Sequence, residues 1–292
     1  MIVITGANGR LGRAIVEDLL GRVPAGEVAV SVRDPDRAKE LGDRGVRVRR
    51  GDFADSASLA HAFEGASQVL VVSADAVGEE AVGRHRTAIE AAKAVGARRI
   101  LYTGHMGANP SSPFLPMPDH AATEAALRES GVAWTSLRNG FYASTTLILL
   151  GGALQTGELA APQDGPVSWT AHADLAEAAA AILADEGRAD GPTPPLTGAE
   201  ALDLADVAAL ASELTGRPIK RVVVTDEEYR ASLVSHGVPE PQAEMLVGMF
   251  AASRQGDFSQ VDPALADLIG HPATPLREVM RDALRPTGIT AR

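Results

Sequence analysis

The sequence contains no cysteine. Disulfides, thiolate nucleophiles and zinc–thiolate centres are thereby excluded. Lysine occurs only at Lys39, Lys93 and Lys220, and arginine carries the rest of the positive charge. Acidic residues outnumber basic ones, for a net charge of −11. That balance does not suit nucleic acid, whose phosphates require a basic face, and no nucleic-acid partner is expected. No apolar run approaches the roughly 18 residues of a membrane span, so no membrane partner is expected. The opening MIVIT is too short for a secretory signal and lacks a basic leader, which makes the cytoplasm the expected compartment. The seven histidines do not cluster with carboxylates at metal-ligand spacings, so no metal is expected.

What is present is a strict rhythm. Residues 2–5 (IVIT) are short and β-branched, as a strand buried on both faces should be. Further apolar runs lie at 27–33, 45–49, 67–73, 99–103 and 132–138. Helical patterns fall between them, at about 9–20, 35–41, 56–63, 83–95 and 119–130, with Asp55 placed to cap the third. Strict alternation of this kind predicts an α/β fold with a doubly wound parallel sheet, the Rossmann arrangement, over residues 1–150. Beyond Asn139 the rhythm breaks. Short strands near 167–170 and 219–224 mix with helices near 174–184, 204–215, 226–236, 239–253, 263–269 and 275–284. Residues 151–292 are therefore read mainly as a smaller mixed α/β substrate lobe, with some elements returning to the main sheet.

The first strand runs into ITGANGRLG, with Gly6, Gly9 and Gly12 three apart. Gly6 suits the tight turn, Gly9 a close backbone approach to a pyrophosphate, and Gly12 close packing of helix on sheet. A helix N-terminus there presents free N–H groups to phosphate. Residues 6–12 (Gly6, Ala7, Asn8, Gly9, Arg10, Leu11, Gly12) are thus the expected phosphate loop of a dinucleotide site. At the end of strand two, Arg33 suits the 2′-phosphate of NADP(H), with Arg13 as an auxiliary, or else it is a solvated strand end. Asp34 keeps NAD open. Asp52 and Phe53 follow strand three, placed to bond and cover an adenine, or else to form an ordinary turn. Ser73 and Ala74 end strand four and Thr103 ends strand five, where the nicotinamide ribose should pass.

Longer stretches carry a family resemblance: VRDPDRAKEL (32–41), GVRVRRGDF (45–53), GRHRTAIEAAKAVGARRILYTG (83–104), DHAATEAALRESGVAWTSLRNGFY (119–142) and LIGHPATPLREVM (268–280). With the glycine loop, they make the chain resemble the NmrA-like group of atypical short-chain dehydrogenases/reductases, and within it the bacterial type-2 quinone oxidoreductases and the triphenylmethane reductases. The resemblance implies an NADP(H)-dependent reductase of conjugated electrophiles, typically quinones or cationic dyes. It also implies that some relatives only bind the cofactor and regulate other proteins. Most short-chain dehydrogenases carry a tyrosine with a lysine four residues on. Here Met106, Thr146 and Leu233 follow Tyr102, Tyr142 and Tyr229 at that spacing, so the pair is absent. His120 and Glu124 share a helix face instead, and a lysine stands near the position of His120 in the more distantly similar isoflavone-type reductases. His120 is either the proton donor or a packed helix-start histidine.

The missing pair narrows the chemistry. A hydride added to an isolated ketone builds an alkoxide, which needs a good proton donor. A quinone yields a delocalised phenolate, and a dye cation needs no proton. Asn139 is a candidate for orienting the nicotinamide carboxamide or a substrate oxygen, and Tyr142 for lining the pocket; a loop turn and core packing are the alternatives. His105, Phe114, Met117 and Phe141 form either a substrate wall or core. Asp174 reads as a helix N-cap. The expected function is an NADPH-dependent reductase of a small conjugated substrate. The alternatives are an NADP-binding sensor without turnover and a specialised carbonyl or imine reductase. Oligomeric state is open, with a homodimer among the options.

Overall fold

The computed structural model describes residues 1–285; residues 286–292 of the C-terminal segment lie outside the described residues. Seven parallel strands form the main sheet: β1 (Ile2–Thr5), β2 (Val28–Val32), β3 (Arg47–Arg50), β4 (Gln68–Val71), β5 (Arg99–His105), β6 (Ala133–Asn139) and β10 (Gly191–Pro192). Their order is β10-β6-β5-β4-β1-β2-β3, so the chain winds outward from β1 in both directions. The order reverses between β1 and β4, and that switch point is where open α/β sheets bind ligands.

Alternation along the strands sorts the core into two faces. Ile2, Ile4, Val28, Val30 and Leu70 pack beneath α1 (Arg10–Leu20), α8 (His172–Ala184) and α12 (Ala264–Ile269). Val3, Ala29, Val69, Val71, Ile100 and Tyr102 face α3 (Ser56–Phe63), α4 (Glu79–Ala94) and α5 (Pro116–Glu129). Helix α8 is rich in alanine on its buried side, which lets it lie close against α1. Edge strand β3 reads RVRR and keeps its outer arginines exposed, a pattern that discourages edge-to-edge pairing.

A third apolar cluster is built mainly from residues beyond Asn139. It joins β7 (Phe141–Tyr142), β8 (Glu158–Pro162) and β9 (Trp169–Thr170) with α6 (Ser144–Leu150), α7 (Ala153–Thr156) and α9 (Leu204–Thr215). Strand β11 (Lys220–Val224) pairs with β8, and α10 (Asp226–Ser235), α11 (Glu240–Arg254) and α13 (Leu276–Leu284) complete the region. Strands β7 and β8 and helices α6 and α7 carry no periodic sequence signal, and α4 and α5 begin well before residues 83 and 119, where the apolar pattern places them. Helix α4 begins at Glu79, because Gly78 turns the chain at φ +70° and Gly83 is tolerated inside the helix. Helix α5 begins at Pro116, since proline fits a first turn that needs no N–H donor.

Among the described residues, no helix is long and apolar enough to cross a membrane. Asp55 caps α3 as expected, accepting from the Ser58 N–H at 3.1 Å. Asp174 is not an N-cap. It sits inside α8, buried, and accepts from Thr274 N–H at 2.6 Å and Thr274 hydroxyl at 2.8 Å. Its carboxylate therefore ties the GHPAT segment to the main domain.

Candidate functional site

The turn after β1 is shaped by its glycines. Gly6 has φ +65°, a left-handed conformation that costs other residues energy. A Cβ on Gly12 would stand 2.4 Å from the Gly6 carbonyl oxygen, so only glycine lets α1 start there. A Cβ on Gly9 would meet that same oxygen alone, at 3.3 Å. The space outside Gly9 is open.

That space is a cleft of about 710 Å³ at the C-terminal ends of the strands. Of the sequence candidates, Gly6, Asn8, Gly9, Arg33, Asp52, Phe53, Ser73 and Ala74 line it. Ala7 and Leu11 are buried in the core behind the loop, and Gly12 supports it. Arg10 opens α1 and is exposed. Thr103 is buried one layer down: its hydroxyl accepts from the Ser73 N–H at 2.8 Å, as that of Thr5 accepts from the Val72 N–H at 2.8 Å. Arg13 does not serve the cleft, because it is paired with Glu17 at 2.9 Å and Glu40 at 3.0 Å.

Arg33 is exposed at the cleft and makes no hydrogen bond or ion pair with a described residue, as does Arg37 beside it. Arg37, Ser31, Asp75 and Arg84 also line the cleft, and no motif in the sequence marks them. Asn8 donates to the Asp34 carbonyl at 2.8 Å, while its Oδ1 is enclosed without a partner. Ser31 Oγ is likewise enclosed and unpartnered. Asp52 Oδ1 caps its own turn, accepting from Ala54 N–H at 3.0 Å. A helix N-terminus, two guanidiniums unpaired among the described residues and unpartnered polar atoms around one cleft fit a phosphorylated dinucleotide.

Beyond the cleft lies a histidine layer, with His85 buried and His105 and His120 half-buried. His85 on α4 accepts from the Ala74 N–H through Nε2 at 2.8 Å, and its Nδ1 meets Thr123 Oγ1 at 2.9 Å. Asp119 on α5 accepts from the Gly78 N–H at 2.7 Å. Helix α5 thus holds the loop after β4 directly through Asp119 and, by way of His85, through Thr123. His120, between those anchors, meets Tyr102 Oη at 2.7 Å through Nδ1. His105 stacks on His120 with ring centres 5.8 Å apart. Burial pushes His85 and His105 down to about 3 and His120 down to about 4, so all three are neutral at pH 7. Burial pushes the Tyr102 phenol up. Glu124 is taken by Arg138, in a two-pronged pair of 3.0 and 2.7 Å, and does not join His120.

Asn139 ends β6, buried, with Oδ1 unpartnered. Gly140 is no free turn: its N–H donates to the Leu196 carbonyl at 2.7 Å, and a Cβ would lie 2.2 Å from Thr170 Oγ1. Tyr142 packs on His172, ring centres 4.2 Å apart. Phe114, Met117 and Phe141 are buried among Trp169 and Phe258, and His105 touches that cluster by its edge. They are core of the C-terminal region.

The neutral histidines make a prediction for stability. In the unfolded chain each titrates near 6.5. Between that value and 3–4 the unfolded chain binds more protons than the native one, so acid favours unfolding. The stabilisation from neutral burial is complete above pH 6.5 and is lost as pH falls toward the folded values. Each histidine adds a slope of up to about 1.4 kcal/mol per pH unit in that window. Calorimetry should find Tm lower at pH 5 than at pH 7.5; a rise on acidification would contradict the assignment.

Comparison with known proteins agrees with this geometry. Residues 6–186 match a family model described as NAD(P)H-binding. Quinone oxidoreductase 2 of Escherichia coli (strain K12) is 36% identical over 279 residues, which are 95% of this chain and 96% of that one. The structure of the NADPH-dependent quinone oxidoreductase of Escherichia coli with NADPH superposes with TM-score 0.92 at 34% identity, covering 98% of this chain and 100% of the other. The Citrobacter sp. triphenylmethane reductase with NADP(H) gives TM-score 0.88 at 33% identity, covering 97% of this chain and 100% of the other. A matching family model, full-length relatives and a seven-stranded parallel sheet with its glycine cleft at the switch point together show that this chain belongs to the NmrA-like family of NAD(P)H-binding reductases.

Proposed function

We propose that this protein is an NADPH-dependent reductase that delivers hydride to a quinone-like or other conjugated acceptor. The observation that carries the reading is a dinucleotide cleft beside a histidine layer held neutral, with no tyrosine–lysine pair among the described residues. All three lysines are exposed, so none can lower the pKa of buried Tyr102. The cofactor supplies the hydride when bound. Gly6, Asn8, Gly9 and the start of α1 hold its phosphates, Ser73 and Ala74 its nicotinamide ribose, and Asn139 its carboxamide side. Asp52 and Phe53 flank the adenine. His120 acts as a neutral hydrogen-bond donor to oxygen that becomes negative as hydride arrives, with the final proton coming from water. Tyr142 lines the acceptor side. A neutral donor is adequate where the product charge is delocalised and weak where it is not, which favours conjugated acceptors over simple ketones.

Cofactor preference follows from Arg33. Arg33→Ala should weaken NADPH binding by about 1.5–3 kcal/mol, the range for charged hydrogen bonds, and leave NADH nearly unchanged. Calorimetric titration with both cofactors checks this, and equal loss for both would refute it. The function itself is tested by NADPH oxidation with a panel of quinones, cationic dyes, ketones and imines, against a control without acceptor. Turnover is expected with the first two classes. Tight NADPH binding with no turnover on any acceptor would favour a sensor instead.

A further inference from the structure

We propose that Tyr102 is a positioning residue that fixes the tautomer of His120, so that Nδ1 accepts a hydrogen bond and Nε2 carries the proton. Its use in turnover rests on the donor reading of His120 above; the tautomer itself does not.

Tyr102 lies on β5 with its side chain fully buried between α4 and α5. Its only geometrically sound hydrogen bond to a described residue is the 2.7 Å contact with His120 Nδ1. Two neutral groups can share such a contact in either direction, and the surroundings decide which. The Ala74 backbone N–H points at His85 Nε2 and can only donate. His85 therefore carries its proton on Nδ1 and donates it to Thr123 Oγ1. The Thr123 hydroxyl in turn donates to the Asp119 carbonyl at 2.8 Å. Thr123 thus has no proton to give Tyr102, and its oxygen, which already accepts from His85, makes no hydrogen bond of good geometry with the phenol. Were His120 Nδ1 to donate, the phenol proton would lie in a buried site with no acceptor of good geometry, which is costly. The phenol donates, and the His120 proton is left on Nε2.

His120 Nε2 makes no hydrogen bond to a described residue, yet it is not one of the enclosed polar atoms without partners, so it is reachable. The ring cannot easily turn away. His105 covers one face, and its own Nδ1 is fixed by the Gly107 N–H at 3.0 Å. Tyr102 thus does for a neutral histidine what a carboxylate does for a charged one: it chooses which nitrogen faces outward.

The test is long-range ¹H–¹⁵N spectroscopy of the histidine-labelled full chain at pH 7.5, with the His120 signal identified by its loss in His120→Gln. The expected spectrum shows His120 protonated at Nε2 and bare at Nδ1. In Tyr102→Phe the two nitrogen shifts should move toward each other as both tautomers become populated, while the His85 signals stay in place. With a quinone, kcat should fall in proportion to the fraction of His120 left protonated at Nε2, about twofold for an even mixture, with KM little changed. A wild-type His120 protonated at Nδ1 overturns the proposal without any variant. An unchanged His120 spectrum in Tyr102→Phe also overturns it. A shifted spectrum with unchanged turnover upholds the tautomer assignment and removes His120 from the reaction, which separates this inference from the functional reading.

Discussion

Replacing Gly9 by valine should abolish NADPH binding and leave the protein folded. The hydrogen that Gly9 carries in place of a side chain points into the open cleft, where a Cβ would touch only the Gly6 carbonyl oxygen at 3.3 Å. The branched side chain would then fill the space into which a pyrophosphate must come to reach the N–H groups at the start of α1. Gly12 makes the control. Its Cβ would lie 2.4 Å from that same oxygen and 2.7 Å from the Gly6 carbonyl carbon, atoms of a fixed turn. Gly12→Ala should therefore destabilise the fold itself, by about 1–3 kcal/mol or more, as overpacking does. Calorimetric titration should detect no NADPH heat for Gly9→Val while its circular dichroism matches the wild type and its melting temperature falls far less than that of Gly12→Ala. Tight binding by Gly9→Val would place the phosphate site elsewhere.

The second large effect is expected at His120. A donor aimed at a developing oxyanion is worth about 10²- to 10³-fold when removed. His120→Ala should cost a poorly stabilised carbonyl acceptor about 10²-fold or more in kcat/KM. A quinone, whose charge spreads over the ring, should lose much less. A cationic dye, which gains a hydride and no proton, should hardly change. The wild-type rate should also be flat between about pH 6 and 8, because burial holds His120 at about 4 and its charge does not change in that range. Uniform loss across acceptors would reject the donor role and leave His120 as packing.

The main sheet was legible because its central strands are buried on both faces and so read as short, mostly apolar runs, as in IVIT and QVLV. The glycine loop was legible for the same reason any close approach is: only one residue type fits at Gly12. Residues 141–162 were not. Strand β7 is two residues long and exists only because β9, from a distant segment, pairs with it. The hydrophobic residues of LRNGFY and FLPMP suited a pocket wall as well as a core, and only the placement of Phe258 and Trp169 against them decided the matter. Around His120 the sequence offered Glu124 as partner by helical spacing. The chain instead gives Glu124 to Arg138 on β6 and His120 to Tyr102 on β5. A search for a tyrosine and lysine at fixed spacing cannot find a tyrosine and histidine that meet across two elements. Arg37 escaped notice because it sits in a 3₁₀ turn, Pro35–Ala38, whose facing toward the cleft no periodicity announces.

The proposed reaction is direct hydride transfer from bound NADPH to a conjugated carbon, with no protein acid required. It is tested by a single turnover of the protein with NADPH carrying two deuteriums at the nicotinamide C4 and a cationic triphenylmethane dye in ordinary water. The predicted product is the colourless dye with one deuterium on its central carbon. Hydrogen from water at that carbon, or a dye left coloured alongside unconsumed NADPH, would contradict the account.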